Sequence, residues 1–115
     1  MIPVHSHSAA MDENLFEVQT SLGFRVRLPR ARWELIVTVK HPVMAGREKD
    51  VQQTLRSPDQ VRQSQTDGTV LLFYRGERDG RWTCAVVKRV DNDDAFVITA
   101  YPTDAIKEGE TIWTR

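Results

Sequence analysis

Four residue types in this chain have chemistry to offer phosphate, and their spacing groups three of them. Trp82-Thr-Cys-Ala-Val-Val-Lys88 and Ala95-Phe-Val-Ile-Thr-Ala-Tyr101 read as two strands joined by the turn Asp91-Asn-Asp-Asp94. Side chains of a strand alternate between its faces. Thr99 and Tyr101 therefore share one face, with Phe96, Ile98 and Ala100 expected on the other, apolar one. Lys88 falls on the side of Trp82, Cys84 and Val86. A hairpin ending in a cation beside two hydroxyls can hold a phosphate group. The fourth residue is the isolated His41, directly before Pro42. Histidine is the side-chain type that gives and takes protons near neutrality.

Each of these residues also has a plain structural reading. His41 could cap a helix end through its charge, and Lys88 and Arg89 could be solvated cations at a turn. Thr99 and Tyr101 could be ordinary cross-strand neighbours. Trp33, Trp82 and Trp113 read first as packing residues. Asp91, Asp93 and Asp94 lack the glycine and distant glutamate of a calcium loop. Cys84 reads as a buried structural thiol. Two histidines in the segment His5-Ser-His7 are too few ligands for a tight metal site. No Gly-x-Ser-x-Gly elbow, phosphate-binding loop, dinucleotide fingerprint or zinc ligand set occurs.

These residues need a scaffold, and 115 residues with 40% hydrophobic content supply one domain with one core. Residues 1–13 read as a flexible leader and 14–115 as the folded domain. Sixteen basic and sixteen acidic residues cancel, which argues against a generic, strongly basic nucleic-acid binder. Basic clusters at Arg25, Arg27, Arg30 and Arg32, and at Arg75, Arg78, Arg81, Lys88 and Arg89, still allow one positive face. A single cysteine excludes an internal disulfide. With no secretory signal and no apolar run of membrane-spanning length, a cytoplasmic protein with no membrane contact is expected.

Along the chain, Leu15–Thr20 and Phe24–Leu28 alternate around Ser21-Leu-Gly23 and predict a hairpin or extended arm. Residues 31–41 leave strand and helix open: Ile, Val and Thr favour a strand, whereas Trp33, Ile36, Val37 and Lys40 form a helical stripe. Residues 46–56 predict a short helix burying Val51 and Leu55, stopped at Ser57-Pro58-Asp59. Strands follow at Gln60–Ser64, Val70–Tyr74, Trp82–Lys88 and Ala95–Tyr101. Turns at Asp67-Gly68 and Glu77–Gly80 separate the first three. Pro102 is expected to halt the last strand. The tail, Asp104 to Trp113, is expected to pack Ile106 and Trp113 back on the body.

Several of these segments, taken as an ordered set, resemble a known superfamily. They are Trp33-Glu-Leu-Ile, His41-Pro42, Thr54-Leu-Arg-Ser-Pro58-Asp59, Leu72-Phe-Tyr74-Arg75, Val86-Val-Lys88 and Phe96-Val-Ile-Thr99-Ala-Tyr101. The set resembles the Barnase–EndoU–colicin–RelE-like nucleases, and most nearly their phage-associated subset, over roughly residues 25–113. The resemblance turns residues 31–41 towards helix. It implies an α+β fold: two N-terminal helices packed on one face of a four-stranded antiparallel sheet, as in RelE and barnase. It also implies a metal-independent endoribonuclease, a toxin or phage-derived effector, in which the RNA 2′-hydroxyl attacks the neighbouring phosphate. That chemistry needs a base, cations on the phosphate and an acid at the leaving oxygen. By resemblance, His41, Lys88, Thr99 and Tyr101 are the catalytic candidates and Arg75 the substrate-binding one, with no cofactor and no metal. The partners implied are RNA and an antitoxin or immunity protein. A catalytically silent RNA- or protein-binding module of the same fold, and an immunity-type interaction protein, are the alternatives.

Overall fold

A computed structural model describes residues 13–78 and 80–115. The expected His5-Ser-His7 segment and all of the leader except Glu13 lie outside the described residues. Glu13 itself is ion-paired with Arg30 at 3.1 Å.

The chain opens with two strands, β1 (Asn14–Gln19) and β2 (Arg25–Pro29), paired antiparallel. Gly23, at φ 92°, makes the turn between them. Helix α1 (Arg30–Leu35) starts directly after Pro29. It passes into a wider π turn over Ile36–Lys40. Four β-branched residues in a row, Ile36 to Val39, crowd an ordinary helix there. The Thr38 hydroxyl donates to the Glu34 carbonyl (2.6 Å). The His41 N–H closes the wide turn on the Ile36 carbonyl (2.7 Å). A single tight turn, Pro42–Met44, follows. Helix α2 (Glu48–Arg56) has Glu48 and Asp50 in its first turn and Arg56 in its last, matching its dipole. It ends at Ser57, before Pro58.

The remaining strands are β3 (Gln60–Gln63), β4 (Val70–Gly76), β5 (Trp82–Arg89), β6 (Asp94–Thr103) and β7 (Glu110–Thr114). They join β1 and β2 in one seven-stranded sheet, ordered β1-β2-β6-β5-β4-β3-β7. Every pairing is antiparallel except β2 with β6, which runs parallel from Arg25–Asp94 to Arg27–Phe96.

This corrects the expected fold class. The sheet is mixed and seven-stranded, not a four-stranded antiparallel one, and two strands precede the helices. Strands β3 to β6 form its antiparallel middle. The hairpin β1–β2 reads as an arm in sequence, but the apolar Val26 and Leu28 draw it onto β6, and the Arg27–Asp94 ion pair (2.9 Å) locks the join. Strand β7 is a second addition. The sequence predicts only that Ile106 and Trp113 fold back on the body; Trp113 packs on the main core from within β7, and Ile106 on the cluster of the opposite face.

The two helices cover one face. Val26, Leu28, Trp33, Ile36, Met44, Val51, Leu55, Phe73, Val87 and Val97 are buried there. Phe73 and Leu55 are fully buried, and each contributes about 1.5–3 kcal/mol of burial. Trp33 keeps its indole N–H satisfied on Glu48 (3.1 Å).

The opposite face carries a smaller cluster, Leu72, Tyr74 and Cys84, with Trp82, Val86, Tyr101 and Ile106 against it. A bulge in β6 decides which side chains arrive there. Val86 pairs with Thr99 and Val87 with Val97, leaving Ile98 as the extra residue. Uniform alternation along β6 is thereby corrected: Ala95, Val97 and Ala100 point into the main core, and Phe96 sits on the other side of the sheet under Arg27. Pro102 does not stop β6. It lies inside the strand, in the stretch beyond β2 where β6 has no neighbour on that side. Among the described residues no helix is long and apolar enough to cross a membrane.

Candidate functional site

His41 reaches the sheet through its backbone. The π turn ends on its N–H, Pro42 stops the helix, and Met44 anchors the following turn in the core. This places the imidazole beside β6 in the stretch left open by β2. Its ring centroid lies 5.3 Å from that of Tyr101, with the planes tilted by 39°. Both side chains are half-buried.

Tyr101 is held from behind by its cross-strand neighbours. Tyr74, Cys84 and Tyr101 occupy one row across β4, β5 and β6. Cys84, buried in the middle of the row, lies between the two tyrosines. Burial pushes both phenols far above the usual tyrosine range, and the thiol beside them adds to it. Burial likewise pushes the Cys84 thiol up to about 12. All three groups thus stay protonated at neutral pH, and Tyr101 offers a ring and a hydrogen-bond donor rather than a base.

Thr99 points to the same face, two residues earlier in β6. Its Oγ1 is buried and finds no hydrogen-bond partner among the described residues. A buried orphan hydroxyl costs about 1–3 kcal/mol, so an unfilled donor and acceptor stands close to Tyr101.

The other two candidates lie elsewhere. Lys88 is on the Tyr101 side of β5, but four positions along from Cys84, the partner of Tyr101. At about 3.3 Å per residue that is about 13 Å of strand. Its ammonium is bound to Asp67 Oδ2 at 3.1 Å. The Thr69 hydroxyl and N–H, followed by Lys88, hold the Asp67 carboxyl down to about 2. Arg75 follows Leu71 and Phe73 onto the helix-covered side. There its guanidinium donates to the Ser57 carbonyl (2.9 Å) and lines a cleft of about 340 Å³ with Arg47, Gln53 and Thr83. Arg47 and the acids of that cleft satisfy one another. Arg47 binds Asp50 at 2.8 Å and Glu77 at 2.7 Å. The buried Thr83 hydroxyl donates to Glu77 and, first among the causes, holds its carboxyl below the usual range. The structure therefore brings His41, Thr99 and Tyr101 to one side of the sheet and separates Arg75 from them.

What lies beside Tyr101 instead is the segment from Thr103 to Gly109. It crosses the open face as a strap and encloses a cavity of about 200 Å³ against Tyr74 and Tyr101. Asp104, Lys107 and Glu108 border that cavity. Arg62 fastens the strap: it donates to the Glu108 carbonyl and the Gly109 carbonyl, each at 2.7 Å. Sequence reading passed over Lys107 and Glu108 because nothing local marks Glu110–Thr114 as a strand. Only the pairing of β7 with β3 returns the strap to the sheet. The one local hint was Gly109 between two glutamates, which marks a turn but names no strand partner. Among the described residues no three His, Cys, Asp or Glu side chains gather as metal ligands would.

Searches against family models, curated proteins and solved structures return no match to this chain.

Proposed function

We propose that the chain is a metal-independent endoribonuclease working from the open edge of β6. The observation that carries this is the His41–Tyr101 contact: residues from the helical segment and from a distant strand, both with apt chemistry, meet at an accessible edge. His41 takes the proton of an RNA 2′-hydroxyl. The 2′-oxygen bonds to the adjacent phosphorus, the bond from phosphorus to the 5′-oxygen breaks, that oxygen takes a proton from solvent water, and His41 returns its own proton to solvent. Tyr101 supplies a stacking surface and a neutral donor. The resemblance to barnase- and RelE-like nucleases supports the same reading. With it comes the role of a toxin or phage-derived effector restrained by an antitoxin or immunity protein.

A second reading has its own observation. Lys88 is engaged by Asp67 and Arg75 by Ser57, which leaves the expected phosphate cations occupied. A site with a platform and no cation describes a silent RNA-binding module of the same architecture. Incubation of the full chain with RNA in excess chelator separates the two. Fragments ending in a 2′,3′-cyclic phosphate support the nuclease. Binding without fragments supports the module.

A further inference from the structure

We propose that Arg47, on the helix side of the sheet, is the positioning residue that holds His41 against Tyr101. The consequence for cleavage rests on the nuclease reading given above; the consequence for the contact between the two rings does not.

His41 and Tyr101 belong to separate elements, so something must fix one against the other. Among the described residues Tyr101 has a neighbouring strand on one side only. Strand β2 pairs with β6 no further than Phe96, and beyond that β5 alone aligns it. His41 belongs to a run of short turns that leads into α2. Its carbonyl accepts from the Met44 N–H (2.9 Å), and the Met44 carbonyl accepts from the Arg47 N–H (2.9 Å). The Arg47 side chain then closes the circuit. Its guanidinium donates to the Thr83 hydroxyl in β5 (3.1 Å). Thr83 is the cross-strand partner of Pro102, the residue after Tyr101. The same guanidinium binds Asp50 of α2 at 2.8 Å and Glu77 of the β4–β5 loop at 2.7 Å. It also lies 3.8 Å from the Met44 sulfur. One side chain thus ties the His41 turn and α2 to the strand that aligns Tyr101.

The chemistry of the circuit suits a fixed distance. Thr83 is a buried polar residue in a strand of apolar ones, and a buried hydroxyl needs partners. Glu77 accepts its proton and Arg47 donates to its oxygen. A guanidinium is a planar fork that meets several acceptors at once in set directions, whereas an ammonium is a point charge on a flexible stem. Met44 is fully buried and anchors the turn in the core. As an unbranched side chain with several rotatable bonds, it adapts to its surroundings and does not dictate the direction of the turn. The fork on Thr83, Glu77 and Asp50 does. A base must stand within hydrogen-bond reach of the proton it takes, and a misplacement of about 1 Å can cost about 10²-fold in rate. The cleft that Arg47 lines is on the helix-covered side, away from the face of Tyr101. Arg47 therefore acts through the placement of His41 and not by touching RNA.

NMR of the full chain tests this without catalysis, through the nuclear Overhauser contacts between the His41 and Tyr101 rings and the ring-current shift each imposes on the other. Arg47→Met keeps an apolar stem and removes the fork. It should weaken the contacts between the rings while the amides of β4 and β5 stay protected from exchange. Arg47→Lys should restore part of the contact. Thr83→Val removes the hydroxyl and keeps the shape, and it should weaken the contact in the same direction. In RNA cleavage, Arg47→Met should lower kcat by up to about 10²-fold with KM nearly unchanged. Parent-like ring contacts in folded Arg47→Met, or in Thr83→Val where Arg47→Met does not fold, would overturn the proposal. If the contacts weaken but the parent leaves RNA uncut, the positioning role stands and the nuclease reading fails. If the parent cuts RNA and Arg47→Met cuts it as fast with its ring contacts intact, the reverse holds.

Discussion

Arg62 and Gly109 hold the two ends of one contact: the guanidinium donates to the glycine carbonyl at 2.7 Å, and the glycine backbone leaves no room for a side chain over Gln63. The edge strand β7 and the strap before it depend on this pair. Gly109→Ala should cost about 1–3 kcal/mol, because a Cβ would meet backbone and the residue would have to hold a positive φ. Arg62→Ala should act in the same direction by freeing two carbonyls and the side chains of Gln60 and Thr111. In both variants, amide exchange should speed up over Glu110–Thr114 well before it does over β4 and β5. Unchanged protection of β7 would show that the strap is held by something else.

The Tyr74–Cys84–Tyr101 row predicts how the protein responds to alkali. Raised proton affinities in the folded state mean that stability is complete below the ordinary thiol and phenol ranges. As pH rises, the unfolded chain gives up these protons first, while the folded chain retains them. Stability should therefore fall from about pH 9 through about pH 12, where the Cys84 thiol titrates. Urea midpoints at pH 8 and pH 10.5 read this, and Cys84→Ala should flatten part of the slope. At neutral pH the native thiol should ignore a disulfide reagent and react at once in denaturant.

Lys88 and Asp67 make a second pH-dependent feature of opposite sign. A carboxyl held down to about 2 lends stability above its ordinary range and loses it as pH falls through about 2. The Thr69 bonds come first among the causes, so Thr69→Ala should soften the acid transition more than Lys88→Ala does. Because Lys88 is tied to Asp67 and removed from Tyr101 along the strand, Lys88→Ala should leave RNA cleavage within about threefold of the parent. A loss of a hundredfold or more in a folded variant would return Lys88 to the site.

Much of this arrangement is visible in the residues, and the exceptions have physical causes. The Asp67-Gly68 turn and the β-rich runs around it mark strands β3 to β5. Val51, Leu55 and the Ser57-Pro58 stop mark α2. Pairing over distance is what stays hidden. Nothing in Arg25–Pro29 announces a parallel join to Asp94–Phe96, since that register is set by burial of Val26 and by Arg27 finding Asp94. The bulge at Ile98 is hidden for the same reason: an apolar residue followed by Thr-Ala-Tyr reads as plain alternation, yet Val97 and Ala100 both enter the core. Of the site, His41 stands out by residue type, and Tyr101 by its place in a strand. Lys88 was grouped with Tyr101 by parity, which fixes the face of a strand but not the position along it. Lys107 and Glu108 were passed over because a strap has no periodicity to read.

The central claim is that His41, set against Tyr101, moves the proton when RNA is cut. Single-turnover cleavage of an oligoribonucleotide in excess chelator, by the parent and by His41→Ala, tests it most directly. The parent should cut, and the variant should cut about 10²–10⁴-fold more slowly with unchanged circular dichroism and urea midpoint. Equal rates for the two folded proteins, or parent cleavage that vanishes in chelator and returns with magnesium, would contradict it.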